Sequence, residues 1–379
     1  MSIKSQAPKY PTRDYLVFSW FCLLAKGTVS HCTLFYFLHF LPAFFSFFAA
    51  KRIFFDMKAL VLQGKGEFPT IAEVAKTRHF SPAGVHVRVQ AASLNHRDLW
   101  IVKRKYPNIK YPIILGSDGA GSYLGKAVLI QPGLNWGLEE RVQHKFYSIM
   151  GSPRHGTFAQ YTSVDVEQVF EMPNHLTIEQ GAALPLAGLT AYRVLFSRCA
   201  AKAGEKFLIT GIGGGVALSC LQFALAAGLE AWVTSSSDEK IQKAVAIGAK
   251  GGANYDLPDW HKELETRAGG NFDLIIDSAG GDGFAHLGKL CKPGGRIGIY
   301  GGTTGTINNL SPQLIFWRQI SILGSTMGST FDFAEMLRFV EQHQIVPFVD
   351  SIFDMKDAVH AFKRMEEGKQ FGKIVLRIG

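Results

Sequence analysis

Cysteine is scarce and scattered: Cys22, Cys32, Cys199, Cys220 and Cys291 are all that 379 residues hold, and no two stand at C-x-x-C spacing. A cysteine-cluster zinc site is thereby excluded, and the three cysteines in the body of the chain fit a reducing compartment. Charge is unbalanced but diffuse. Lys and Arg number 40 against 31 Asp and Glu, a net +9, with no basic arm and no nucleic-acid recognition motif. Such a field suits an anionic nucleotide or an anionic surface and argues against a nucleic-acid partner. The body of the chain has no internal repeat and no low-complexity linker. Long apolar runs are missing as well. Residues 15–25 are too few to span a bilayer, and residues 33–50 only reach the lower limit of about 17 to 25, with His39 and Pro42 inside.

What the chain does have is concentrated between residues 205 and 249. Residues 206–210 are a short apolar run of strand length that feeds directly into GIGGGVA, residues 211–217. A helix is predicted over 216–227, where Leu218, Leu221, Ala224 and Leu225 recur at helical spacing. Its N-terminus points at the turn. Unpaired N–H groups and the positive end of the helix dipole then make an anion site, which glycines let a pyrophosphate approach closely. Gly211, Gly213, Gly214, Gly215 and Val216 are the candidate phosphate-binding residues. They fit G-x-G or G-x-x-G-x-x-A but not a clean G-x-G-x-x-G, so the turn alone is a weak signal.

The alternation around that turn is stronger. A second strand is predicted at 230–234, an S-x-x-E capping box at Ser236 and Glu239, a third strand at 272–276 ending in Asp277-Ser278-Ala279-Gly280, and a fourth at 296–300. Strands alternating with helices predict an α/β fold with a Rossmann doubly wound parallel sheet, binding its ligand at the carboxyl ends of the strands. The end of the second strand selects the dinucleotide. An NAD site usually has Asp or Glu there, whereas this chain has Thr234-Ser235-Ser236-Ser237. With no carboxylate to repel it, a 2′-phosphate would find hydroxyls at Ser235 and Ser236 and the cation of Lys240. NADPH is the expected cofactor; a serine-rich turn with a solvated lysine is the plainer reading.

The nucleotide unit occupies about residues 178–328, so a second unit must exist. Residues 57–177 carry short β-like runs (MKALVLQ, VHVRVQAAS, AVLIQP, FAQYTSV) divided by Gly, Pro and Asn, as in a small barrel or sandwich. Residues 329–379 end in KIVLRIG, a strand expected to return to that unit. The strings SLNHRDLW, YPIILGSDGAG, HGTFAQY, ALPLAGLTAYRVL, GIGGGVA, GGRIGIYGG and FGKIVL follow one another in an order and spacing that resembles the medium-chain dehydrogenase/reductase superfamily, in its zinc-independent quinone-oxidoreductase-like branch. The resemblance runs from Met57 to Gly379 and implies a GroES-like β-barrel catalytic domain beside the Rossmann domain. It also implies that Asn95 and Asp98 are catalytic residues on the nicotinamide side. Tyr300, Gly301 and Gly302 would edge the nicotinamide pocket, and Tyr255 would approach the adenosine phosphate. Two alternatives stay open: Asn95 as a satisfied turn residue and Asp98 as a helix N-terminal carboxylate. Trp100 and Tyr106 are candidates for the substrate pocket or for plain core.

Metal-dependent members of this superfamily carry a catalytic zinc, and the resemblance implies a cysteine where Asn95 stands, a histidine where Ser117 stands and a second cysteine near the LPLAG segment. None of these is present, so no metal ligand is expected. Without a metal or an evident acid–base pair, the expected chemistry is hydride delivery from NADPH to a quinone or an α,β-unsaturated carbonyl, whose charge spreads onto an oxygen. A non-catalytic NADPH-binding protein, membrane-associated or not, is the alternative, and an alcohol dehydrogenase is the third reading.

Two features depart from the family pattern. The segment SYLGKAVLIQP is short near residues 122–128, where a strand, a loop and another strand are usual, and either a strained barrel or a misassembled gene is expected. Residues 1–56 are an apolar extension with three readings: a membrane anchor through residues 33–50, a cleaved targeting segment, or translated upstream sequence ahead of a start at Met57. A cytoplasmic enzyme is expected in the last case and a membrane-associated one in the first. Residues 320–328 are a candidate edge strand for a homodimer.

Overall fold

In the computed structural model, residues 56–76 and 82–379 are described, and the apolar stretches of the N-terminal extension lie outside them. Among the described residues no helix is long and apolar enough to cross a membrane.

Continuous apolar runs bounded by glycine build the nucleotide sheet. Its six strands are all parallel, in the spatial order Gly251–Asn254, Glu230–Ser235, Lys206–Ile209, Phe272–Asp277, Cys291–Ile299 and Ser321–Gly324. Both faces are covered, which is why these strands read as unbroken hydrophobic runs rather than as alternation. Phe207, Ile209, Leu274 and Ile276 pack on one side with the helix Gly215–Ala226, while Leu208, Ile275 and Ile297 pack on the other with Leu264 and Leu287. Each such fully buried side chain contributes about 1.5 to 3 kcal/mol. The chain order reverses between Lys206–Ile209 and Phe272–Asp277, and that switch point opens the crevice at the carboxyl ends of the strands.

The first three predicted strands and the first helix fall within a residue or so of their places, while the fourth strand, expected at 296–300, starts five residues earlier as Cys291–Ile299, and one cap is shifted. The helix Asp238–Ile247 is capped by Ser237, whose hydroxyl accepts from the Lys240 amide, not by Ser236. Ser235 is already committed one step earlier, its Oγ accepting from the Ser237 amide.

The second unit is built around the strand Gly84–Ser93, which pairs antiparallel with Asp118–Tyr123, Tyr161–Asp165 and Lys373–Arg377. A three-stranded sheet of Thr70–Ala75, Asp56–Leu62 and Ile113–Ile114 lies beside it. The shortened segment does not break this sheet. Asp118–Tyr123 turns straight into Lys126–Ile130 through Leu124 and Gly125, with Tyr123 opposite Lys126. Both turn residues have positive φ, 49° and 79°, the pattern of a type I′ hairpin, and Val169–Glu171 covers the outer edge of Lys126–Ile130. Within this segment the strain falls on Leu124, which is 84% exposed and held in the left-handed region. Leu124→Asn should raise stability by about 1 kcal/mol, because Asn tolerates that region and Asn-Gly is the favoured pair here. A lower urea midpoint in the variant would contradict this account of the turn.

Candidate active site

The strand Lys206–Ile209 ends at Thr210, whose hydroxyl donates to Asp277 Oδ1 at 2.6 Å across the switch point. Asp277 Oδ2 in turn accepts from the amides of Ala279 and Gly280, which shapes the turn after the third strand. The glycine turn lies opposite. Gly211 and Gly213 have φ of 65° and 124°, and only glycine takes the second without strain. The helix Gly215–Ala226 follows, and no side chain caps its N-terminus. Its first-turn amides are therefore available to a ligand, as a dinucleotide diphosphate requires.

These turns line one cavity of about 830 Å³, within the range of cofactor and substrate sites. The cavity brings together almost every candidate read from the sequence: Asn95, Gly211, Gly213, Gly214, Gly215, Val216, Ser235, Ser236, Lys240, Tyr255, Tyr300, Gly301 and Gly302. Trp100 and Tyr106 line it too. Two of these residues are less free than the sequence suggested. Ser235 is 3% exposed, and Lys240 Nζ donates to the Gly368 carbonyl at 2.7 Å. Tyr255 is 43% exposed, and its amide donates to the Ser235 carbonyl.

Asp98 is the residue that does not join them. It is fully buried, accepting from the Asn95 amide at 2.9 Å and the Gly116 amide at 3.3 Å, and burial pushes its carboxyl above the usual range. Its place is the capping box of the helix His96–Val102, as in the helix N-terminal alternative, and it does not line the cavity. Asp98 positions Asn95 and the loop that carries Ser117.

The centre of the site is a cluster that the sequence did not reveal. Lys373 Nζ, on the last strand, donates to the Leu94 carbonyl, Asn95 Oδ1 and Asp118 Oδ2 at 2.8, 2.6 and 2.9 Å. Asp118 also accepts from the Ser93 hydroxyl, Asn95 Nδ2 and the amide of Leu186, at the start of the helix Pro185–Tyr192. Three donors converge on Oδ2 of this buried carboxylate and one on Oδ1, and the helix N-terminus adds a favourable dipole. Asn95 is therefore fixed on both sides of its amide. A side chain at Gly215 would meet Lys373 Cδ at 2.6 Å, so the glycine turn and the last strand touch.

Next to this cluster, Arg97 Nη1 donates to Ser117 Oγ at 2.9 Å and to the Met150 carbonyl at 2.7 Å. The cysteines in the body, Cys199, Cys220 and Cys291, are free and buried, and burial raises the Cys291 thiol to about 12 and the Cys199 thiol to about 11.

Comparison with known proteins places this arrangement. Residues 81–174 match the family described as alcohol dehydrogenase GroES-like domain, and residues 215–342 match the family described as zinc-binding dehydrogenase. The chain is 34% identical over 345 residues, 83% of its length and 96% of the relative's, to the zinc-type alcohol dehydrogenase-like protein YogA of Leptosphaeria maculans. It belongs to the medium-chain dehydrogenase/reductase superfamily. Quinone oxidoreductase-like protein 2 of Bos taurus is 24% identical across 82% of this chain and 89% of its own length. A solved NAD-dependent alcohol dehydrogenase superposes with a TM-score of 0.79 at 34% identity, covering 85% of this chain and all of the other.

As a medium-chain dehydrogenase/reductase, the chain is an oxidoreductase with a Rossmann sheet and a GroES-like domain. Asn95 and Ser117, the positions that the sequence resemblance implies for zinc ligands, both accept from cationic donors: Lys373 on Asn95 Oδ1 and Arg97 on Ser117 Oγ. Two neighbouring cations and two neutral, poorly ligating oxygens do not fit a zinc ion.

Proposed function

We propose that this chain is an NADPH-dependent, zinc-independent reductase of quinones or α,β-unsaturated carbonyls. The observation that carries this reading is the pair of cationic side chains bonded to Asn95 and Ser117, where a metal would otherwise polarise the substrate. A bound reduced nicotinamide supplies hydride. The protein holds it: Gly213 to Val216 and the helix N-terminus would take the diphosphate, Tyr300 to Gly302 would edge the nicotinamide, and Ser235, Ser236 and Lys240 would face the 2′-phosphate. Asn95, clamped between Lys373 and Asp118, offers a preorganised polar edge beside the reacting carbonyl, while Trp100 and Tyr106 keep water out.

A panel of quinones, enones and simple alcohols tests the proposal. NADPH should be consumed with quinones or enones. Turnover confined to alcohols and aldehydes would favour the second reading, an NAD-dependent alcohol dehydrogenase, which the 34% identical structure of that description supports.

Cofactor preference has its own test. Ser235→Asp should move the ratio of kcat/KM for NADPH over NADH toward NADH by about ten- to a hundredfold, since a carboxylate at the strand end repels the 2′-phosphate and accepts the ribose hydroxyls. An unchanged ratio would place the phosphate elsewhere. The strand Ser321–Gly324 closes the sheet with an unpaired outer edge among the described residues, which supports a homodimer through that edge, and a molar mass from light scattering tests it.

A further inference from the structure

Arg97 is 8% exposed, yet its guanidinium has no carboxylate bonded to it among the described residues. Nη1 is spent on Ser117 Oγ and the Met150 carbonyl. Nε is buried without a partner, and the guanidinium hydrogen bonds to described residues all come from Nη1. The neighbouring acid, Asp98, uses its oxygens on the amides of Asn95 and Gly116. Arg97 nevertheless forms part of the cavity wall, with Asn95, Trp100, Tyr106 and Ile149, and its charge lies 5.4 Å from the Tyr106 ring centre. Leaving donors of a buried cation unpaired is costly, and a fold keeps such a group where a ligand completes it.

We infer that Arg97 is a catalytic residue whose guanidinium stabilises the oxyanion formed on the acceptor. The inference rests on the reductase reading given above and assigns a residue to its charge-bearing step. Hydride from the reduced nicotinamide forms a C–H bond at the β-carbon of the acceptor. The C=C electron pair moves to the Cα–C bond, the carbonyl π pair moves onto oxygen, and the resulting enolate oxygen accepts a hydrogen bond from Arg97. Solvent then returns a proton at Cα, and the nicotinamide is left oxidised. Ser117 and Met150 fix the fork, so the donors are aimed before charge develops, the condition under which such groups lower a barrier most. A conjugated carbonyl or quinone gains from this, because its charge arrives on an oxygen within reach of the pocket wall.

The test uses a chromogenic nitrophenol as a stable mimic of the oxyanion, bound to the full-length protein with oxidised NADP and titrated by its visible absorbance. In the wild type its ionisation should shift to lower pH by about one unit or more on binding, as expected beside an unpaired cation. Arg97→Gln should abolish that shift and lower kcat with an enone about a hundredfold, with NADPH affinity by fluorescence titration unchanged. Arg97→Lys should restore part of both. Ser117→Ala keeps the guanidinium while removing one anchor, so it should retain the phenolate shift; a merely structural Arg97 would make both variants alike. A wild-type shift that survives in Arg97→Gln, no shift in the wild type, or a loss confined to KM would each overturn the assignment. Absence of NADPH turnover with every quinone and enone would instead sink the reductase reading, and the phenolate titration would still report on the guanidinium.

Discussion

Replacing Lys373 with methionine is expected to destabilise the protein by about 3 to 5 kcal/mol, the range for breaking a buried ion pair from one side. Lys373 and Asp118 have side chains 6% and 0% exposed, so neither charge is rescued by solvent once the other is gone. The Asp118 carboxylate would keep the Ser93 hydroxyl, the Asn95 amide and the Leu186 amide, which places the loss toward the lower end of the range. Asn95 would lose the donor that orients its oxygen, so activity should fall even in the folded fraction. A second substitution, Asp118→Leu, made in the Lys373→Met background should cost less than the same change alone, because the pair is then removed as a unit. Urea denaturation of the four proteins reads this coupling. A loss below about 1 kcal/mol for Lys373→Met would mean that the pair is solvated in practice.

Gly156→Ala is expected to cost about 3 kcal/mol or more, beyond ordinary overpacking, because the obstruction is backbone. A methyl group there would stand 2.0 Å from the Gly116 carbonyl oxygen and 2.5 Å from that of Leu115. Those carbonyls already accept from the amides of Thr157 and Phe158, so they cannot swing away without unpairing the loop. The same loop carries Ser117 and Asp118, and activity should fall with stability. Gly64→Ala is the control: nothing lies within 4 Å of the added carbon, and its effect should stay within about 0.5 kcal/mol. Equal midpoints for the two variants would contradict the packing around Gly116.

Legibility in the sequence followed sequence distance. The glycine turn, its helix and the serine-rich strand end lie within thirty or so residues of one another, and a local pattern of period, glycine and capping residues is enough to read them. The Asn95-x-x-Asp98 spacing is equally local, and the capping role of Asp98 stood among its readings. Lys373 and Asp118 are 255 positions apart, and Arg97 reaches Met150 across 53. No period links such residues. Both lay inside strings that resembled the family, FGKIVL and GSDGAG, but a string match does not say that a lysine and an aspartate close on one asparagine. The short segment near residues 122–128 was hard to read for another reason. Leu124 is a poor residue for a left-handed turn, so a hairpin that the backbone does form left only Gly125 as its signal.

Hydride transfer without a metal is the central claim, and chelation during turnover tests it most directly. NADPH oxidation with a quinone or enone should continue unchanged after exhaustive treatment with a zinc chelator, and elemental analysis of the active protein should find zinc far below one atom per chain. Activity that disappears on chelation and returns with added zinc would contradict the account, because Asn95 and Ser117 would then be ligands and their bonds to Lys373 and Arg97 would have to open.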